Sequence, residues 1–127
     1  MKTMTMTMTN AEIYNYAVSL NNNFTNAEIQ MPAAISFSIV KNKKTLFALA
    51  EDIERYRADI FNKYEAKLEN NRIAILPEKV EAANKELEDL LKISQEVNIY
   101  TFSVEELKDI SFTSPQMEAI LFMIDEE

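Results

Sequence analysis

Carboxylates, lysines, tyrosines and serines are the side chains of this sequence that could do acid–base or metal chemistry, because it has no His and no Cys. The arrangement nearest to a magnesium-dependent nuclease signature is Asp59 with Glu65 and Lys67, since carboxylate oxygens are ligands for Mg²⁺. All three fall within one predicted helix, where their spacing turns the two acids to different faces. We therefore interpret them as part of a solvated charged surface and expect neither catalytic residues nor a bound metal.

The residue types that are missing exclude many enzyme classes. Without Gly there is no P-loop, dinucleotide-binding turn or nucleophile elbow, because each needs a backbone that can approach phosphate closely or take a positive φ. Without His or Cys there is no Ser-His or Cys-His pair and no zinc site of the usual kinds. The composition favours a protein that binds over an enzyme, and we expect no cofactor.

The size and apolar pattern predict one domain, residues 1–127, that folds without disulfides or a membrane span. We expect a mostly α fold with a minor β element, namely a long helix or helical hairpin plus a short two-stranded sheet. Residues 10–70 would form the hairpin, residues 71–127 an acidic α+β part, and residues 1–9 either fray or form a short strand. The absence of Cys is compatible with the cytoplasm.

The elements that would hold any binding surface follow from capping and periodicity. Thr9 with Glu12 is a capping box that starts the first helix, and a turn is predicted at residues 25–29. Pro77 begins a helix and Ser114 caps the last one. The alternation from residue 96 to residue 102 predicts the best strand, with residues 72–76 as its nearest candidate partner.

The segment from Pro32 to about Asn70 has no Pro and no Gly after its first residue, which predicts a helix about 55 Å long. Apolar residues recur in it every seven positions, with further apolar residues at the intervening positions. A polar residue, Asn42, occupies one of those positions. Asn42 could fix the register of the helix or contact a ligand. Alternatively, the apolar repeat starts only after Asn42, and we favour this second interpretation. We expect this heptad seam to be an oligomer or partner interface: Ile39, Asn42, Leu46, Leu49, Ile53, Tyr56 and Ile60.

The net charge of −8 is concentrated in residues 72–127, which carry five basic and thirteen acidic side chains. Direct nucleic-acid binding is therefore disfavoured, whereas a basic protein partner is compatible with this charge. These acids either mimic the phosphates of nucleic acid against a basic protein groove or form an ordinary solvated surface. We favour the solvated surface. The candidate acidic partner surface consists of Glu86, Glu88, Asp89, Glu105, Glu106 and Asp109. The only cluster offering anion contacts consists of Lys41, Lys43, Lys44, Arg55 and Arg57.

Six short segments spread over nearly the whole chain resemble a family of small phage and prophage proteins of gut Firmicutes. Their motifs are structural and carry no chemical signature. The segments are Asn10-Ala-Glu-Ile-Tyr-Asn15, Met31-Pro-Ala33, Ile39-Val-Lys-Asn42, Glu81-Ala-Ala-Asn-Lys-Glu-Leu87, Glu96-Val-Asn-Ile-Tyr100 and Gln116-Met-Glu-Ala-Ile-Leu-Phe-Met123.

The resemblance implies a phage origin, action in the cytoplasm of a bacterial host cell, and one of two roles. One role is a homo-oligomeric accessory protein, such as an assembly chaperone or scaffold, whose partners are copies of itself or other phage or host proteins. The other is an inhibitor of host defence, either an acidic anti-CRISPR-like protein or one that sequesters a nucleotide signal. The heptad seam favours the first role.

Overall fold

The computed structural model describes residues 2–25 and 29–125, and in this part of the chain the fold is mostly α with a minor β component, as predicted. The turn predicted at residues 25–29 falls largely outside the described residues. In chain order the elements are β1 (Lys2–Thr9), α1 (Asn10–Phe24), α2 (Ala33–Lys63), β2 (Lys67–Glu69), β3 (Arg72–Ala74), α3 (Pro77–Lys92), β4 (Ser94–Thr101), a 3₁₀ helix (Val104–Leu107), α4 (Ser114–Ile120) and a second 3₁₀ helix (Leu121–Met123).

Helix α2 is the longest element, and its 31 residues span about 46 Å. It ends at Lys63, so the predicted end near Asn70 is wrong. The chain turns out of the helix at Glu65, whose φ of 55° lies in the left-handed region. A non-glycine residue adopts this conformation at an energetic cost, which other interactions have to offset. Because the chain has no Gly, it leaves the helix at a Glu instead, and a Glu does not mark a helix end in a sequence pattern.

Asn70 and Asn71 form the turn of a short hairpin between β2 and β3, with φ values of 49° and 63°. Asn tolerates the left-handed region better than most residues, and two such residues in succession fit a two-residue hairpin turn. The hairpin also corrects the predicted placement of Asp59, Glu65 and Lys67 on one helix. Asp59 lies in α2, whereas Lys67 begins β2.

The larger sheet pairs β1 with β4 in antiparallel register, from Lys2 opposite Thr101 to Thr9 opposite Ser94. The strand predicted at residues 96–102 is present as β4, but its predicted partner, residues 72–76, is wrong. Strand β3 pairs with β2 instead. The eight residues of β1 match the eight of β4 in length, whereas β3 has three and its hairpin partner adjoins it in sequence.

The alternation of Met and Thr in β1 gives the sheet one apolar and one polar face. On the apolar face Met6 lies opposite Val97 and Met4 opposite Ile99, while the Thr side chains lie on the other face. Helices cover the apolar face and complete the core. Core side chains from the four helices include Ile13, Ala17 and Leu20 of α1, Ile39, Leu46 and Ile53 of α2, Leu90 of α3, and Ala119 and Ile120 of α4.

Most of the heptad seam faces the chain's own core, which corrects the expectation that it forms an interface between chains. Ile39, Asn42, Leu46 and Ile53 are at most 3% exposed, because α1 and β4 pack against this side of α2. Leu49 is partly buried against the same core. These side chains are not available to a second chain in this fold, and the seam reaches solvent only at its C-terminal end.

Asn42 joins α2 to the edge of the sheet. Its side chain is fully buried, its Nδ2 donates to the Tyr100 carbonyl at 2.9 Å, and its Oδ1 accepts from the Tyr100 N–H at 2.8 Å. The Phe37 ring packs edge-on against the Tyr100 ring at 5.7 Å. One amide thus satisfies both main-chain groups of a strand residue, as a neighbouring strand would. The favoured interpretation, that the apolar repeat starts after Asn42, did not include this role, whereas the alternative that Asn42 fixes register is closer to it.

Replacing Asn42 with Leu should lower the free energy of unfolding by about 2–4 kcal/mol, because it leaves the part-buried N–H and C=O groups of Tyr100 without partners. Chemical denaturation followed by circular dichroism measures the change. Asn62→Leu, at an exposed position of the same helix, is the matched control and should change stability by less than about 0.5 kcal/mol. Equal effects of the two substitutions would contradict the role assigned to Asn42.

Candidate protein-binding groove

The C-terminal end of the heptad seam emerges from the core in a groove between α2 and α3. Tyr56, Asp59, Ile60 and Lys63 line it from α2 at positions i, i+3, i+4 and i+7, the spacing of one helix face. Helix α3 runs beside this last part of α2 but covers its apolar face only in part, since Tyr56 is exposed and Ile60 is half-buried.

Helix α3 presents a stripe with the same spacing. Its residues Glu86, Asp89 and Leu90, followed by Ile93 at the helix cap, line the opposite wall. Two stripes with the same spacing therefore face each other, and each carries two charged residues and two residues with large apolar surfaces. We call this site the α2–α3 groove and define it by these eight residues.

The α2–α3 groove has a volume of about 420 Å³ and an apolar floor open to solvent. Tyr56 and Ile93 are 62% and 52% exposed, while Ile60 is half-buried and Leu90 is buried. Exposed apolar side chains are ordinary one at a time, but a contiguous set rimmed by charges is typical of a binding surface. The seam residues that the core leaves exposed, Tyr56 and Ile60, both belong to it.

A salt bridge between Lys63 and Glu86 spans one end of the groove, with 2.8 Å between Nζ and Oε1. The hydrogen bond from Lys63, followed by one from Tyr64, lowers the pKa of Glu86 below its usual value. The same contact raises the pKa of Lys63. Lys63 is neutralised by Glu86, and Asp89 pairs with Lys85 at 3.2 Å, so Asp59 gives the rim its net negative charge. The groove is therefore apolar inside and acidic at its border.

A second cleft, which the sequence analysis did not predict, lies between α1, α2 and α3 around Tyr14 and has a volume of about 330 Å³. A hydrogen bond with Glu54 raises the pKa of Tyr14, and Arg57 contacts the same carboxylate at 3.4 Å. A phenol with a raised pKa stays protonated at neutral pH, so Tyr14 can donate a hydrogen bond but is a poor base. No sequence pattern marks Tyr14 as a functional residue, because it is a single Tyr at a partly buried helix position.

The candidate acidic surface is divided between two parts of the fold and is largely paired within the chain. Glu86 binds Lys63, and Asp89 lies 3.2 Å from Lys85. In the 3₁₀ segment, Glu105 binds Lys108 at 2.8 Å, and Glu106 accepts from the Ser103 N–H in a capping box. The remaining acids, Glu88 and Asp109, are exposed.

The candidate anion contacts are not brought together at one site. Lys43 and Lys44 line one groove beside Phe47, whereas Lys41 lies over the Phe37 ring. Arg55 and Arg57 lie more than ten residues further along α2, and each pairs with an acid one turn away, Asp52 and Glu54 respectively. At about 1.5 Å per residue the two groups are roughly 15–25 Å apart.

Residues 2–25 and 29–125 contain no group of three or more acidic side chains arranged to hold a metal ion. No helix in the same ranges is both long enough and apolar enough to cross a bilayer. Comparisons with protein-family models, with curated proteins and with solved structures give no match to this chain. Any function has therefore to be argued from the groove itself.

Removing the Lys63 amino group should raise the pKa of Glu86 toward the ordinary glutamate value of about 4.3. Because the folded-state pKa of Glu86 is lowered, its contribution to stability is present above that ordinary value and is lost as the pH falls through the folded-state pKa. Carboxyl NMR titration of Lys63→Met against the wild type measures the shift. Lys85→Met, which removes the partner of Asp89, is the control, and a Glu86 titration unchanged in Lys63→Met would contradict the assignment.

Proposed function

We propose that this chain is a non-enzymatic, phage-type accessory protein, an assembly chaperone or scaffold that acts by binding protein and by self-association in the cytoplasm of a bacterial host cell. The observation that carries the proposal is the α2–α3 groove, an exposed apolar surface where the predicted interface residues Tyr56 and Ile60 reach solvent. The proposed occupant is an amphipathic helix of a partner protein, with an apolar face and basic flanks.

The shape of the groove supports a helical occupant. Its walls are two helix faces, and an amphipathic helix inserts its own i, i+3, i+4 and i+7 residues into such a trough. Tyr56 is the residue type that commonly contributes most to binding energy when an interface covers it, because its ring is large and loses little conformational freedom. Leu90 provides a buried apolar floor beneath it.

The charge of the rim supports a basic partner. Asp59 and Asp89 border the groove. Asp89 pairs with Lys85 and the lysine of the lining is bound to Glu86, so Asp59 supplies the net negative charge. Complementary charges at a rim raise the association rate and reject acidic competitors more than they add affinity. The overall charge of −8 acts in the same direction at longer range.

The alternative role, inhibition of host defence, has less support. Phosphate mimicry needs acids that are free to meet a basic surface, and four of the six candidate acids have partners within the chain. Sequestering a nucleotide signal needs cations at one place, and the five candidate cations lie in separate regions of α2. Lys43 and Lys44 line a groove of about 540 Å³, but the other three candidate cations lie outside it.

Binding of a synthetic amphipathic peptide of leucine and lysine tests the groove, with the same peptide carrying glutamate for lysine as the charge control. Fluorescence anisotropy should show tighter binding of the lysine peptide. Tyr56→Ser should weaken it at least about tenfold, because the anchor at the groove is lost.

Val104→Ser is the matched control variant, since Val104 is 60% exposed and lies outside the groove, whereas Tyr56 is 62% exposed. Both substitutions should leave the thermal unfolding midpoint nearly unchanged. Equal affinities of the wild type and Tyr56→Ser, or equal losses in the two variants, would overturn the assignment of the groove as the binding surface.

A further inference from the structure

Strand β1 has a second edge, which faces away from β4. Both main-chain groups of Tyr100 bond to Asn42 and therefore point away from β1. Tyr100 lies opposite Thr3, and in an antiparallel ladder the two residues of such a pair point their N–H and C=O groups away from each other. The pattern repeats every two residues, so the groups of Thr3, Thr5 and Thr7 all point outward.

Two contacts elsewhere in the sheet agree with this orientation. The Thr9 N–H, which is next in the same series, donates outward to Glu12 Oε1 at 2.9 Å. On β4, the main chain continues at Phe102, whose N–H donates to Met123 and whose carbonyl accepts from Asp125. Within residues 2–25 and 29–125, the outward main-chain groups of Thr3, Thr5 and Thr7 have no hydrogen-bond partner.

This edge lacks the features that usually prevent strand pairing. It contains no Pro, its single charge, Lys2, lies at one end, and Thr3, Thr5 and Thr7 are exposed. Natural edges of this length are commonly covered, bulged or charged, because an open edge is a template for another strand. Open main-chain groups along most of an eight-residue strand therefore indicate a position for a further strand.

We propose that the occupant is β1 of a second copy of this chain, paired antiparallel across a two-fold axis at Thr5. Thr5 then faces its own equivalent, and Thr3 faces Thr7 of the second copy. Met4 faces Met6 of the second copy, so the apolar faces of the two sheets become one. The inference rests on the self-association in the proposed function and assigns it a surface.

The strict alternation of β1 supports a second copy over an unrelated strand. An antiparallel register that pairs Thr with Thr also pairs Met with Met, so both faces match at once. Met4, which is 41% exposed, gains apolar neighbours on its open side. Lys2 is the one charged residue of the strand. Two copies of a protein with a net charge of −8 therefore meet at a surface where charge repulsion is low.

The geometry also explains why the assembly stops at two copies. Pairing uses the open edge of each β1, giving a four-stranded sheet in the order β4, β1, β1, β4. The outer edge of each β4 is occupied at Tyr100 by Asn42 and at Phe102 by Met123 and Asp125, and the exposed Glu96 places a charge on the rest of it. An interface that uses the same patch on both copies closes on itself, so a dimer forms and not a fibre.

Thr5→Pro tests the edge directly. Proline removes the outward N–H and places its ring at the edge, while the ladder to β4 does not use this N–H. Thr5→Val keeps the N–H and the β-branched shape and loses only the hydroxyl bond to Asn98. Sedimentation equilibrium at micromolar concentrations should give twice the 14.7 kDa chain mass for the wild type and Thr5→Val. The dimer of Thr5→Pro should dissociate at least about tenfold more readily.

Amide hydrogen exchange of the wild type provides a second measurement, which still decides the question if Thr5→Pro fails to fold. The amides of Thr3, Thr5 and Thr7 should exchange more slowly as the protein concentration rises. Met4 and Met6, whose amides bond to β4, serve as internal references and should exchange at rates that change little.

The outcomes separate this inference from the proposed self-association. A dimer that persists in Thr5→Pro, with exchange of Thr3, Thr5 and Thr7 independent of concentration, would overturn the edge pairing and leave self-association through another surface. A wild-type chain that stays at 14.7 kDa throughout would overturn both. Assemblies larger than a dimer would overturn the closed two-fold arrangement.

Discussion

The hydrogen bonds between Asn42 and Tyr100 connect the long helix α2 to strand β4 of the larger sheet. A fully buried amide would be costly without partners, and here both its donor and its acceptor are satisfied by one strand residue. Because the contact accepts only one position of α2 along β4, it fixes the register of the long helix against the sheet. The placement of Ile39 and Leu46 in the core, and of Tyr56 at the surface, follows from that register. A polar residue in an apolar stripe thus determines which part of the helix stays open to solvent.

Local sequence signals gave the elements of this fold with good accuracy. The capping box of Thr9 and Glu12 begins α1 as expected, and Pro77 begins α3. The alternation from residue 96 to residue 102 corresponds to β4 within two residues, and the last helix begins with Thr113 as its cap, one residue before the predicted Ser114. Each of these signals depends on neighbours within four residues. The pairing of β1 with β4 depends on residues 85 to 99 positions apart, for which no local pattern exists.

The heptad seam shows why the candidate site could be predicted only in part. A repeat of seven residues is compatible both with packing between two chains and with a helix buried in its own domain, because 3.5 and 3.6 residues per turn differ little over three heptads. Burial of Ile53 and exposure of Tyr56 are decided by where α1, α3 and β4 end, which is a property of the assembled chain. Likewise Lys63 and Glu86 are ordinary charged residues in sequence, and only the packing of α2 against α3 brings them together.

The separation between β1 and β4 also has a consequence for how the chain reaches its native state. Contacts this distant in sequence close a large loop at an entropic cost, and proteins that rely on them fold more slowly than those with local contacts. During synthesis β1 leaves the ribosome well before β4 exists, so for that interval the edge that pairs with β4 in the native fold is also open. The strand carries a single charge and no Pro, which are features of segments that pair wrongly when exposed, whereas its Thr residues keep one of its faces polar. Helices α1 and α2, whose contacts are closer in sequence, can assemble first and hold the position that the sheet completes last.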